Sequence, residues 1–95
     1  MSTKKLTNIS LKDFRKFLKK AKCEYAYDHK GHEFWVRSDL YRKVTFQAHI
    51  EPIPEFVIRN NLKTLGVEKN DFFDILGGRK IVEEKEGVFM TKAKK

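Results

Sequence analysis

Cysteine is nearly missing from this 95-residue chain: Cys23 stands alone, so neither an internal disulfide nor a cysteine-based metal cage can form. Its sequence neighbours suggest a buried small apolar residue, and it is given no function. Proline occurs only twice, as Pro52 and Pro54, so the one strong break in regular structure falls at Ile50-Glu51-Pro52-Ile53-Pro54. No apolar run approaches the roughly 18 residues of a membrane-spanning helix, and Met1-Ser2-Thr3-Lys4-Lys5 lacks the apolar stretch of a signal peptide. A cytoplasmic protein is expected. The length suits one domain with a modest core, which excludes an elaborate multi-substrate cleft.

Acid is scarce too: 13 Asp and Glu face 21 Lys and Arg, a formal net charge of +8. The excess is uneven. Residues 1–22 hold eight basic side chains against Asp13 alone, residues 23–78 hold seven against nine acids, and residues 79–95 hold six against three. Basicity concentrated at the two ends of a small chain suits a polyanion, because each neutralised phosphate releases condensed counterions. Nucleic acid is the partner implied, with a solvated lysine face as the bland alternative.

Ser10 followed by Asp13 forms a capping box, and Leu11, Phe14, Leu18 and Ala21 form an apolar stripe, which predicts a helix from Leu11 to Ala21 or Lys22. Lys12, Arg15, Lys16, Lys19 and Lys20 occupy its other faces and are candidate phosphate contacts, as is Lys30 in the next turn. From Cys23 the period becomes two: Cys23, Tyr25, Tyr27, then His32, Phe34, Val36, then Val44, Phe46, Ala48. Three antiparallel strands are predicted, with Phe34 opposite Phe46, Val36 opposite Val44, and both Ala48 and Tyr27 opposite His32. That register puts His32 on the core face, at its end beside the turn, and Trp35 on the other face. Pro54 then opens a helix carrying Phe56, Val57, Leu62 and Leu65, closed by Gly66. Lys69 to Leu76 reads as a shorter helix stopped by Gly77-Gly78.

The fold class expected is therefore α+β, in the order α-β-β-β-α(-α), a three-stranded antiparallel sheet with helices on one face. Residues 1–78 make the domain; residues 79–95 are a basic tail, either flexible or a loose hairpin around Gly87. His32 is the main candidate for chemistry, with His49 the weaker second and His29 an exposed turn residue. Two histidines without acids at suitable spacing make a poor zinc site, so no metal and no cofactor are expected.

His29-Lys30-Gly31-His32-Glu33-Phe34-Trp35, Arg42-Lys43-Val44-Thr45-Phe46 and His49-Ile50-Glu51-Pro52-Ile53-Pro54 resemble three segments of the HicA toxins. Leu62-Lys63-Thr64-Leu65-Gly66-Val67 with Asp71-Phe72-Phe73-Asp74-Ile75-Leu76 resembles that family's C-terminal ending, so the likeness covers roughly residues 8–76. The resemblance implies a double-stranded-RNA-binding-like fold and a toxin that cleaves messenger RNA. It implies His32 as the catalytic histidine and inhibition by a HicB-like antitoxin. Trp35 then becomes a candidate contact for that antitoxin or for a second copy in a homodimer. Lys30-Gly31 and Ile53-Pro54-Glu55-Phe56 depart from the family pattern. They keep two alternatives open: an RNA-binding module of the same fold without catalysis, and a protein-interaction domain.

Overall fold

The computed structural model describes residues 5–94; residues 1–4 of the expected domain and Lys95 of the expected tail lie outside them. The chain runs α1 (Leu11–Lys20), β1 (Glu24–His29), β2 (His32–Val36), β3 (Val44–Gln47), α2 (Glu55–Leu65), α3 (Lys69–Leu76), β4 (Lys80–Lys85) and β5 (Val88–Ala93). The class is α+β as expected, with an antiparallel sheet in the order β1-β2-β3 and a separate β4-β5 hairpin.

α1 begins, and α2 ends, where local chemistry provides for it. The Asp13 amide donates to Ser10 Oγ at 3.0 Å, and the Leu11 amide donates to Glu51 Oε1 at 2.7 Å, so two of the otherwise orphaned amides of α1 are met. Gly66 closes α2 at φ 71°, a left-handed conformation that glycine adopts without strain. Phe14, Phe17, Phe46 and Phe72 form the centre of the core, with Phe14 edge-on to Phe46 at 5.2 Å and Phe17 edge-on to Phe72 at 4.6 Å. Such aromatic pairs add to the burial energy of the rings themselves.

The β2–β3 register differs from expectation by one residue, and between β1 and β2 Tyr27 pairs with Phe34 instead of His32. Glu33 pairs with Phe46, Trp35 with Val44, Phe34 with Thr45 and His32 with Gln47. A one-residue slip exchanges the two faces of a strand, so Glu33 and Trp35 join Val44 and Phe46 under the helices, while His32, Phe34 and Val36 lie on the open face. The turn explains part of this. Lys30 and Gly31 both have positive φ, 51° and 82°, the geometry of a tight two-residue hairpin that sets His29 directly against His32.

Burial of Glu33 is made possible by α1. Arg15 Nε donates to Glu33 Oε2 at 2.9 Å, Arg15 Nη2 donates to the same carboxylate, and Trp35 Nε1 donates to Oε1 at 3.1 Å. Burial pushes the Glu33 carboxyl up, but the Arg15 and Trp35 hydrogen bonds with the Arg15 charge outweigh it and hold the group below the usual carboxylate range.

β4 and β5 turn at Glu86-Gly87, and Val82 of β4 is buried in the same core as the helices. Arg37, after β2, donates to the Ala21 carbonyl at 2.8 Å, pairs with Asp39 at 2.7 Å and lies 4.3 Å over the Phe89 ring. One buried guanidinium thus joins the end of α1, the end of the sheet and the hairpin. Cys23 is buried as expected, and burial pushes its thiol up to about 11. Among the described residues no helix is long and apolar enough to cross a membrane.

Candidate functional site

The open face of the sheet is built by alternation. On β2 it carries His32, Phe34 and Val36; on β3, Thr45 and Gln47. An irregularity between Tyr25 and Tyr27 switches β1, so that Tyr25 packs edge-on to Trp35 on the helix side while Tyr27 and His29 reach the open side. Tyr27 stacks on Phe34 with centroids 4.7 Å apart and planes at 17°, and Lys43 Nζ stands 5.7 Å from the Tyr27 ring. A flat aromatic pair beside a cation is a surface on which a base can stack.

At the turn end of this face two histidines oppose each other, and a third lies beside the turn. His29 and His32 are cross-strand partners, so their side chains leave the same face about 5 Å apart at the backbone. The Ala48 amide donates to the Gly31 carbonyl at 2.8 Å, which draws the end of β3 over the turn. His49 Cδ2 then lies 3.8 Å from where a side chain on Gly31 would begin. His32 Nδ1 is 3.3 Å from the Lys30 carbonyl. A carbonyl only accepts, so this contact assigns the proton of the neutral ring to Nδ1 and leaves the Nε2 lone pair free to take another. No group of three or more His, Cys, Asp or Glu is arranged to hold a metal ion among the described residues.

His32 also lines a groove of about 430 Å³ between β3 and α2, together with Arg42, Lys43, Thr45, Gln47 and Asn60. The groove exists because α2 packs against the outer edge of β3. Asn61 Nδ2 donates to the Thr45 carbonyl at 3.0 Å and its Oδ1 accepts from the Thr45 amide at 3.4 Å, so one side-chain amide completes the exposed edge as a neighbouring strand would. Thr45 Oγ1, facing the groove, is buried and has no hydrogen-bond partner among the described residues. Phe56, expected in the core, is instead 68% exposed at the groove wall. At the far side Arg42 lies 5.3 Å from the ring of Tyr41, itself 83% exposed.

Several expected site residues fall elsewhere. Trp35 is 3% exposed and anchored to Glu33, because the register turns it inward; it is a core residue and not an interface. Arg15 is committed to Glu33. Lys12, Lys16, Lys19 and Lys20 are exposed, but α1 covers the helix side of the sheet, so they do not share a face with His32. Lys30 stays at the turn, beside His32. His29, expected to be merely exposed, is the strand partner of His32; a histidine on each side of the two-residue Lys30-Gly31 turn was the signal for it. Tyr27, Phe34 and Gln47 were hidden by the register, since each depends on which face of the sheet is open; Arg42 and Lys43 precede β3, and the groove they line needs α2 as its other wall.

Compared with protein-family models, with curated proteins and with solved structures, the chain finds no match in any of the three.

Proposed function

We propose that the open sheet face and the adjoining groove bind single-stranded RNA, and that His32 cleaves it, in the manner of a HicA-like messenger-RNA endoribonuclease. One observation carries the proposal: a half-buried imidazole with a free Nε2 lies in a groove with Arg42 and Lys43 and has a second imidazole, His29, directly across the ladder.

The chemistry needs one proton acceptor and one donor. A neutral imidazole takes the proton from a ribose 2′-hydroxyl; the oxygen attacks the adjacent phosphorus, forming a 2′,3′-cyclic phosphate. The bond to the 5′-oxygen breaks as that oxygen receives a proton from a second, charged imidazole. His32 is the acceptor by its Nδ1 contact, with His29 the better-placed donor and His49 the other candidate. Arg42 and Lys43 stabilise the charge gathering on the phosphoryl oxygens. The Tyr27–Phe34 stack, Gln47 and the unpartnered Thr45 hydroxyl hold base and sugar. Such an enzyme works in the cytoplasm, and an antitoxin of the HicB kind would inhibit it by covering this face in place of the buried Trp35.

Labelled RNA incubated with the protein in EDTA tests the proposal against wild type and His32→Ala. Cleavage by the wild type and its loss in the variant are expected. RNA that is bound and left intact by both would reduce the protein to an RNA-binding module. An acidic protein bound without any salt-dependent affinity for RNA would make it an interaction domain.

A further inference from the structure

We propose that the cleft where the end of α1 meets the base of the β4–β5 hairpin is a second site, which grips the phosphodiester backbone of a nucleic acid. The cleft, about 240 Å³, is lined by Lys19, Lys20, Lys22, Lys80 and Lys94 over a floor that includes Ile75. Lys80 is already neutralised, at 2.6 Å from Asp71 and 3.7 Å from Asp74. Lys19, Lys20, Lys22 and Lys94 have no ion pair among the described residues. Four uncompensated ammonium groups around one depression repel each other, and an anion placed among them relieves that repulsion.

The fold builds this convergence from segments distant in sequence. Lys22 follows α1 in the left-handed conformation, at φ 71°. Lys20 Nζ passes 3.9 Å from where a side chain on Gly78 would begin, a space kept open by the glycine. The Lys94 amide donates to the Arg79 carbonyl at 3.1 Å, fixing the residue after β5 beside the cleft.

The lining also limits the ligand. Lysines are point charges on flexible stems without the planar fork of arginine, and no aromatic ring lines the cleft, so phosphates are held and bases are not read. The site stands apart from the histidines. Arg37 binds the last turn of α1 from the end of β2 opposite His32, some five residues away, about 17 Å at the rise of a strand. Naming nucleic acid as the ligand rests on the RNA-binding function proposed above.

The test is binding of a short labelled 2′-O-methyl RNA, which cannot be cut, and of a DNA of the same sequence, measured by anisotropy over a range of salt. Lys19→Gln/Lys22→Gln/Lys94→Gln is expected to weaken both strands alike, at least about tenfold, and to lower the slope of log affinity against log salt by about two. A control removing the same charge elsewhere, Lys63→Gln/Lys69→Gln/Lys85→Gln, is expected to keep most of that slope. Unfolding curves confirm that each variant is folded. Wild-type affinity and slope in the cleft variant, or an equal loss in the control, overturn the cleft and leave the His32 groove standing. Cleft-dependent binding of a natural RNA that is never cut overturns the catalytic role of His32 and leaves the cleft. Absence of any binding by the wild type overturns both.

Discussion

His29 and His32 oppose each other on the last rung of the β1–β2 ladder, on the same face and on either side of the two-residue Lys30-Gly31 turn. The pairing brings two imidazoles to one place within a single hairpin. If His32 is the acceptor, His32→Ala lowers RNA cleavage by about 10²- to 10⁴-fold. His29→Ala follows with a smaller loss, and His49→Ala with the smallest, while all three bind uncleavable RNA within a few-fold of wild type. Single-turnover rates and binding curves measured side by side check the order.

Glu33 contributes stability that depends on pH, and its sign follows from its lowered pKa. The contribution is fully present above the unfolded carboxylate value of about 4.3 and is lost as pH falls through the lower folded value. Glu33→Gln is expected to be less stable than wild type by about 1–3 kcal/mol at pH 7, with the gap narrowing as the pH drops into the acid range. Urea unfolding at a series of pH values measures it; a gap independent of pH would contradict the ion pair with Arg15.

Asn61 stands in for a missing strand, which needs both an acceptor and a donor. Asn61→Asp keeps the acceptor but has no donor for the Thr45 carbonyl, and the two oxygens repel. A destabilisation of about 1–3 kcal/mol is expected, together with faster hydrogen exchange along β3. An Asn61→Asp protein as stable as wild type would show that the edge is held by packing alone.

The hairpin belongs to the folded unit by the burial of Val82 and by Arg37, whose side chain is 5% exposed. Val82→Ala is expected to cost about 1–3 kcal/mol, and Arg37→Ala, which strands the Ala21 carbonyl and Asp39, about 2–4 kcal/mol. Both losses should appear as one shift of a single unfolding transition, measured by circular dichroism. A separate early transition of the hairpin would contradict the shared core.

The elements were legible in the sequence because their signals are local: Ser10 before an apolar stripe, Pro54 ahead of a helix, Gly66 after one. The register was not, and the reason lies in Glu33 and Trp35. Alternation places Phe34 and Val36 on one face and Trp35 on the other, so hydrophobicity alone does not choose between the faces. A carboxylate at position 33 argues against burying its face. The structure buries it nonetheless, because Arg15, eighteen residues earlier and on another element, reaches across to neutralise it. That pairing is a tertiary fact, and with it goes the identity of the open face, hence most of the groove. His32 survived as a candidate because the turn, not the register, holds it at the edge.

Cys23 gives a simple check of the core. Its thiol, raised by burial, is expected to resist a maleimide or disulfide reagent at pH 8 in the native protein and to react fully once unfolded in urea. Rapid native labelling would place it at the surface.

The most direct measurement of the central claim is the chemistry of the cut ends. Mass analysis of RNA incubated with the protein in EDTA should find fragments ending in 2′,3′-cyclic phosphate and 5′-hydroxyl from the wild type, and intact strands from His32→Ala and from a 2′-O-methyl substrate. Intact RNA with the wild type, or the same fragments at an undiminished rate with His32→Ala, would contradict a proton-transferring His32.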